Sequence, residues 1–265
     1  MKNLIKIFFV IVATVIAMNS CNNAPQQMSD IQEINYDSIV NTKKDKMIYG
    51  LACDGSSDSV IVLWPYKGDP KRYSIIDAKQ NQKVFGKAEI GDWVGVMVNP
   101  EDSTEATMAI DLDVLKGTWT YPVMPVMKDL QNMSRRMQRR MIAQMNDSIK
   151  TNYLIPRDYG FTLSRSNMAT PVGYAMRSNS LEDDSPVTYP EVKNIQRWYM
   201  INGKLLLVSV KRHMGGTKDE QPKKPEVSID TMTFKRMEGD TLVLAHGDSI
   251  CAFHRTKATN QQTKK

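Results

Sequence analysis

Residues 198–208 read WYMINGKLLLV, and this stretch decides the fold. Asn202 and Gly203 stand between two runs of aromatic and aliphatic residues, and an Asn-Gly pair tolerates the positive φ angles of a type I′ turn. The stretch therefore predicts two antiparallel strands joined by a tight hairpin.

The sequence on either side repeats this pattern of short apolar runs and turns. Two further turns are predicted at Glu238-Gly239-Asp240 and His246-Gly247-Asp248. Strand candidates lie at 160–164, 172–176, 195–200, 204–210, 228–236, 241–244 and 249–254. About seven or eight short strands are enough to curl into a barrel, so we expect a β meander over 116–255.

A smaller β unit is predicted ahead of this meander. Apolar runs at 48–52 and 60–64 alternate with turn segments rich in Gly, Asp and Pro, such as 54–58 and 67–70. We expect an antiparallel unit over 47–115. The predicted fold class is therefore mainly β, with two antiparallel β units.

One amphipathic helix is predicted near 127–150, inside the second unit. Its apolar residues recur every three or four positions, which places them on one side of a helix. They are Met127, Leu130, Met133, Met137, Met141, Met145 and Ile149.

Three roles for this helix stay open. Its Met face packs on the barrel, or Met137 and Met141 form a lid or wall of a ligand cup. In the third, Arg135, Arg136, Arg139 and Arg140 form a basic edge that rests on anionic headgroups or docks a partner.

Gly117-Thr118-Trp119, at the start of the meander, resembles the first strand of the lipocalin-like domains common in bacterial lipoproteins, where a Gly-x-Trp closes one end of the barrel. The stretch 234–244 looks like the closing hairpin of such domains. The resemblance covers 115–255 and implies a cup that holds a small apolar molecule. Candidate lining residues are Trp119, Trp198 and Tyr199, with Met137 and Met141 from the helix.

The first twenty residues have the pattern of a signal peptide, with Lys2 and Lys6 ahead of an apolar run over 7–17. This run is shorter than the roughly 20 residues that span a bilayer. Met18-Asn19-Ser20-Cys21 resembles a lipobox, which implies cleavage before Cys21 and its acylation, for example with palmitate. Plain secretion with cleavage elsewhere is the rival interpretation.

These features predict a mature chain anchored to a membrane by lipid. Residues 21–46 are polar and form the expected tether, and 256–265 form an expected disordered tail. We expect a location in the cell envelope, on the periplasmic side of the outer membrane. The envelope location disfavours nucleic acid as a partner, although the isoelectric point is near 9.1.

Composition excludes several classes of protein. The chain has 265 residues, of which 24% are charged and 41% hydrophobic, so it is neither a disordered polyampholyte nor a multi-span membrane protein. Three cysteines are too few for a disulfide-dense scaffold. Cys53 and Cys251 either form one bridge or remain two isolated thiols.

Motifs of common catalytic sites are missing. The sequence has no Gly-x-Ser-x-Gly, no His-Glu-x-x-His, no phosphate loop and no Gly-x-Gly-x-x-Gly. Its three histidines are dispersed, so we expect no metal site and no cofactor. The sequence therefore predicts a non-enzymatic protein that binds a small apolar ligand. The alternative is a structural or assembly protein that docks an envelope protein through the basic Met-rich helix.

Overall fold

A computed structural model describes residues 34–130, 132–173, 186–211 and 225–256. The chain divides into two compact units, 1–39 and 40–265. Of the first unit only residues 34–39 are described, and they include most of a short helix, α1 (Tyr36–Val40). The second unit begins with a 3₁₀ turn (Thr42–Lys44) and contains both β sheets described below.

The first sheet of the second unit has six strands. They are β1 (Met47–Ala52), β2 (Val60–Pro65), β3 (Lys71–Ser74), β4 (Val84–Phe85), β5 (Trp93–Val98) and β6 (Ala106–Asp111). Their order is β3-β2-β1-β5-β6-β4, and all pairs are antiparallel except β4 with β6. A short helix α2 (Ile76–Gln80) connects β3 to β4, and α3 (Leu112–Leu115) follows β6.

The second sheet has eight antiparallel strands. They are β7 (Gly117–Val123), β9 (Arg157–Leu163), β10 (Ala169–Val172), β12 (Ile195–Ile201), β13 (Lys204–Lys211), β14 (Glu226–Glu238), β15 (Thr241–His246) and β16 (Ser249–Thr256). Their order is β10-β9-β7-β16-β15-β14-β13-β12. Two short strands, β8 (Val126–Met127) and β11 (Val187–Thr188), form a separate ribbon. The mainly β fold class is confirmed.

The eight-stranded sheet closes almost completely on itself. The last strands, β10 and β12, come together through a single bridge between Met168 and Arg197. Beside it, the Trp198 N–H donates to the Asn167 carbonyl at 2.9 Å. The sheet is therefore a nearly closed barrel, as expected for a lipocalin-like meander.

The predicted hairpin at Asn202-Gly203 is confirmed. Both residues have positive φ, 49° and 73°, and Ile201 pairs with Lys204 across the turn. The turn rests on the first sheet, because a Cβ at position 203 would collide with the Met108 thioether. Glycine is thus favoured here by the φ angle, whereas the close approach is to the end of a flexible methionine side chain.

One continuous core joins the first sheet to the barrel. Phe85, Ile110 and Leu115 belong to the same buried cluster as the barrel residues Trp119 and Trp198. The short helix α3 ends directly before β7, so its leucines reach the barrel interior from one end. Burial of apolar side chains from both sheets holds the two β units together.

The single helix predicted at 127–150 is wrong in its bounds and its continuity. The structure has a 3₁₀ turn (Lys128–Leu130) and two helices, α4 (Arg135–Gln144) and α5 (Asp147–Tyr153). Ser134 and Asn146 cap these helices, because each side chain accepts a backbone N–H of the following turn. Such caps start a new helix and interrupt the preceding segment. The regular spacing of the methionines continues across the interruption and therefore did not indicate it.

Several expectations concern residues outside the described ranges. The signal peptide, Cys21, most of the tether and residues 257–265 all lie there. Thr256, placed at the start of the tail, instead ends β16 and pairs with Thr118. Within the described ranges, no helix combines the length and the apolar character that crossing a membrane requires.

Candidate functional site

Trp119 closes one end of the barrel, which we call the α3 end (the ends of β7, β9 and β16 at Gly117, Leu163 and Thr256). Its side chain has 0% exposure, and its Nε1–H donates to the Leu115 carbonyl at 2.7 Å. The aromatic ring is therefore tied to α3 by a hydrogen bond as well as by packing.

Arg255 covers the same ring from β16. Its guanidinium lies 4.2 Å from the Trp119 ring centroid and donates to the carbonyls of Lys116 and Val114. This residue was missed in the sequence, because only the pairing of β16 with β7 places Arg255 opposite Trp119. Cation–π stacking and charge-assisted hydrogen bonds thus connect Trp119 and residues 114–116 through Arg255.

Trp198 also belongs to the barrel core. It is 1% exposed, and its Nε1–H donates to the Ser164 carbonyl at 2.9 Å. Exposures of 0 and 1% leave no space for a ligand atom against Trp119 or Trp198. In this state both candidate lining residues are packed core side chains.

The other three candidate lining residues lie elsewhere. Tyr199 is partly buried and points to the opposite face of β12 from Trp198, since side chains alternate along a strand. Met137 and Met141 on α4 are 46% and 38% exposed, outside the barrel core. The structure thus brings together Trp119 and Trp198 alone among the five.

The face of α4 that carries methionine is exposed. Leu130 and Met127 are buried with Val187 in a small cluster against which Met145 packs, whereas Met137 is not part of it. The interpretation of the stripe as one packing face is therefore wrong for its central residues. Arg135, Arg136, Arg139 and Arg140 are exposed on the same helix, which contains no acidic residue.

The far end of the barrel (the ends of β7, β9 and β16 at Val123, Arg157 and Ser249) has a different lining. Tyr121 and Cys251 lie there on the inner face, the face that carries Trp119 and Trp198. The Tyr121 ring meets Phe253 edge-on, with 5.2 Å between centroids. Burial raises the pKa of the Tyr121 hydroxyl and of the Cys251 thiol, so this lining is largely apolar.

Polar side chains face the same interior from β13 and β14. Ser209 shares the inner face with Leu207, is 5% exposed, and its Oγ has no hydrogen-bond partner within the described ranges. Asp230 pairs with Leu207 across the strands, and both its carboxylate oxygens lie 2.7 Å from Lys193 Nζ. The far end therefore combines apolar walls with one unsatisfied hydroxyl.

Metal and disulfide chemistry are not built into the described part of the chain. It holds no group of three or more His, Cys, Asp or Glu side chains that would bind a metal ion. His246 lies 3.8 Å from Asp230, and His213 is outside the described ranges. Cys53 and Cys251 are free thiols, both partly buried.

Strand order, near closure and the Gly-x-Trp at the α3 end together define a lipocalin-like barrel. No protein-family model and no curated protein matches the chain. Among solved structures, it is similar to a lipocalin-like protein from Bacteroides thetaiotaomicron known from a crystal structure. The two are 17% identical, with a TM-score of 0.29, over 53% of this chain and 95% of that chain.

Proposed function

We propose that this protein is a lipid-anchored, non-catalytic binding protein of the cell envelope, which holds a small apolar ligand at the far end of its barrel. The observation that supports this most is the buried Ser209 hydroxyl on the inner face, without a partner in the described part of the chain. An unsatisfied buried hydroxyl costs about 1–3 kcal/mol, and a ligand with one polar group would remove this cost.

The side chains on the inner face at the far end define the chemistry of the ligand. Tyr121, Cys251 and Phe253 supply apolar and aromatic surface, while Asp230 is already neutralised by Lys193. A molecule with an apolar body and one hydrogen-bonding group fits this lining better than a charged one.

The test compares one substitution on the inner face of β16 with one on its outer face. Cys251→Phe places an aromatic ring in the proposed site, whereas Ile250→Phe adds similar bulk at a position that is 67% exposed. The full chain is purified from its native envelope, and bound molecules are measured by native mass spectrometry and by analysis of an organic extract.

We expect a co-purifying apolar molecule in the wild type and in Ile250→Phe, and its loss in Cys251→Phe. Absence of any bound molecule from the wild type contradicts the proposal, as does equal occupancy in the two variants. Near-UV circular dichroism shows whether Cys251→Phe keeps the native packing of aromatic residues.

Lipid anchoring is a separate part of the proposal and rests on the sequence Met18-Asn19-Ser20-Cys21. Acylation with two or more chains holds a protein stably on a bilayer. Wild-type protein should incorporate labelled palmitate and sediment with outer membranes, whereas Cys21→Ser should do neither. Cys53→Ser is the control, and equal labelling of the wild type and Cys21→Ser contradicts anchoring at Cys21.

The periplasmic location is tested with intact cells. A protein on the periplasmic side of the outer membrane should resist added protease until the membrane is permeabilised. Digestion in intact cells would instead place the protein on the outer surface.

The exposed α4 favours a second function, docking to an acidic surface of an envelope protein. Arg135, Arg136, Arg139 and Arg140 lie in water beside exposed Met137, a combination suited to an interface. Reversing these four charges to Glu should abolish salt-sensitive co-purification of the partner. Reversal of three exposed basic residues, Lys67 in the loop after β2 and Lys71 and Arg72 on β3, is the control. Unchanged recovery in both variants excludes docking through α4.

A further inference from the structure

A cleft of about 1010 Å³ lies between the first sheet and the hairpin that joins β14 to β15. It is separate from the far end of the barrel, because its lining comes from the first sheet, α2, α3 and residues 235–240. Apolar side chains form much of its wall: Ile61, Val84, Phe85, Val94, Ile110 and Val114. Its volume is in the upper range of small-molecule sites, roughly 300–1,000 Å³.

Asp111, the last residue of β6, is one of the residues that line this cleft. It is 2% exposed and is the only charged residue that is fully buried in the described ranges. Its Oδ1 accepts the backbone N–H groups of Asp113 and Val114, each at 2.9 Å. Its Oδ2 is buried and has no hydrogen-bond partner among the described residues.

No basic side chain forms an ion pair with Asp111 in the described part of the chain. The charges of Asp92 and Asp113 act on it, and both repel it. Exposed side chains at the rim carry four basic and four acidic groups: Lys79, Lys87, Lys235, Arg236, Asp58, Glu89, Glu238 and Asp240. Because the rim charges cancel and are screened by water, the buried carboxylate determines the sign of the site.

Gly86 packs directly against Asp111. Its φ is 81°, and a Cβ at this position would lie 2.8 Å from the Asp111 Cβ and 3.0 Å from the Met237 Cε. The Gly86 N–H donates to the Met237 carbonyl at 3.3 Å, which links the first sheet to β14. The two sheets therefore meet at a glycine, and a side chain there would collide with Asp111 and Met237.

We propose that this cleft binds an organic cation, an ammonium group on an apolar body, with Asp111 as its counter-ion. The ammonium N–H groups donate to Oδ2, which supplies the partner that this oxygen lacks. The apolar body lies against Val84 and Val114, which line the cleft and are partly exposed. Ligands with a carboxylate or phosphate at the same position are disfavoured by repulsion from Asp111, Asp92 and Asp113.

The test uses 4-phenylbutylamine as the probe and 4-phenylbutanol as its uncharged control. Binding to the full chain is measured by isothermal titration calorimetry at pH 7.5. Asp111→Asn keeps the Oδ1 acceptor for the two N–H groups and removes the charge. Asp69→Asn removes an exposed carboxylate outside the cleft and serves as the matched control.

We expect the amine to bind the wild type and Asp69→Asn equally, and Asp111→Asn at least about tenfold more weakly. The alcohol should bind all three proteins weakly and alike. Equal affinity of the amine for the wild type and Asp111→Asn overturns the proposal. So does an alcohol that binds the wild type as tightly as the amine, or a wild type that binds neither.

A second measurement needs no substitution at Asp111. Protonation of its carboxyl competes with the ammonium group, so affinity of the wild type for the amine should fall on acidification from pH 7.5 to pH 5. The alcohol should show no such change, and a pH-independent amine affinity contradicts the proposal. Cys251→Phe should bind the amine like the wild type, which separates failure of this site from failure of the barrel site.

Discussion

Replacing Asp111 with asparagine should make the protein more stable at neutral pH. Burial raises the pKa of this carboxyl to about 6, and the charge of Asp92 adds to the rise. Hydrogen bonds from the backbone of Val114 and Asp113 lower the pKa but do not offset the effect of burial. Asparagine has the same shape and retains the oxygen that accepts those two N–H groups. It therefore removes the buried charge and leaves the cap of α3 in place.

The size and sign of the effect follow from proton linkage. The carboxyl has a pKa of 3.8 when unperturbed and about 6 in the folded protein, and each pKa unit corresponds to about 1.36 kcal/mol. Between these two values the unfolded chain is ionised and the folded protein is not, so stability falls as pH rises. Above about pH 6 the wild type has lost about 3 kcal/mol relative to its stability below about pH 4.

The assay is urea unfolding of the wild type and Asp111→Asn, followed by tryptophan fluorescence from pH 4 to pH 8. The free-energy difference should rise by about 3 kcal/mol in favour of the variant as pH increases through this range. A free-energy difference between the variant and the wild type that does not change with pH would refute the reasoning. So would a difference that favours the variant less at pH 7 than at pH 4.

Asp113, two residues away, supplies a control with the opposite sign. Burial alone would raise the pKa of Asp113, but hydrogen bonds from Lys116 and from the Trp93 N–H, with the Lys116 charge, lower it below its usual value. A carboxyl whose pKa is lowered in the folded protein contributes stability at pH values above its unfolded pKa. This contribution is lost as the pH falls. Asp113→Asn should therefore destabilise at neutral pH, and its deficit should shrink on acidification.

Two further substitutions test the junction of the sheets and the α3 end of the barrel by urea unfolding. Gly86→Ala should destabilise more than Gly68→Ala: both glycines have positive φ, which costs about 1–3 kcal/mol for alanine, but only position 86 lacks room for a Cβ. Equal losses would show that Asp111 and its surroundings move aside at little cost. Arg255→Ala should lower the free energy of unfolding by about 2–4 kcal/mol, because it removes the stacking on Trp119 and two charge-assisted hydrogen bonds. The control Arg72→Ala, at an exposed position, should change it by less than about 0.5 kcal/mol. A loss for Arg255→Ala no larger than that for Arg72→Ala would show that the α3 end does not depend on this side chain.

Local patterns in the sequence predicted the elements that depend on local chemistry. The Asn202-Gly203 turn and the strands beside it form as expected, because Asn and Gly adopt positive φ at low cost. Gly117-Thr118-Trp119 starts the first strand of the barrel, also as expected. The helix near 127–150 was predicted less well, since a period of three to four residues does not show where Asn146 caps a new helix.

The candidate site depended on strand phase and on contacts between distant residues. Tyr199 follows Trp198 directly in the sequence, yet alternation along β12 turns it to the other face. Ser209 and Cys251 are inconspicuous in the sequence and come to one inner face only through strand register. Motif spacing carries no information about that register.

The sequence by itself determined the class of fold and the hairpin turns, and it predicts a lipid anchor, because each depends on residues that are close together along the chain. The tertiary structure alone decided that Arg255 stacks on Trp119, that the first sheet and the barrel share one core, and that Asp111 is buried in a cleft without a counter-charge. Each of these features joins residues that are far apart in the sequence or depends on how deeply a group is buried. Such features are set by packing and desolvation over the whole fold, and no local pattern encodes them.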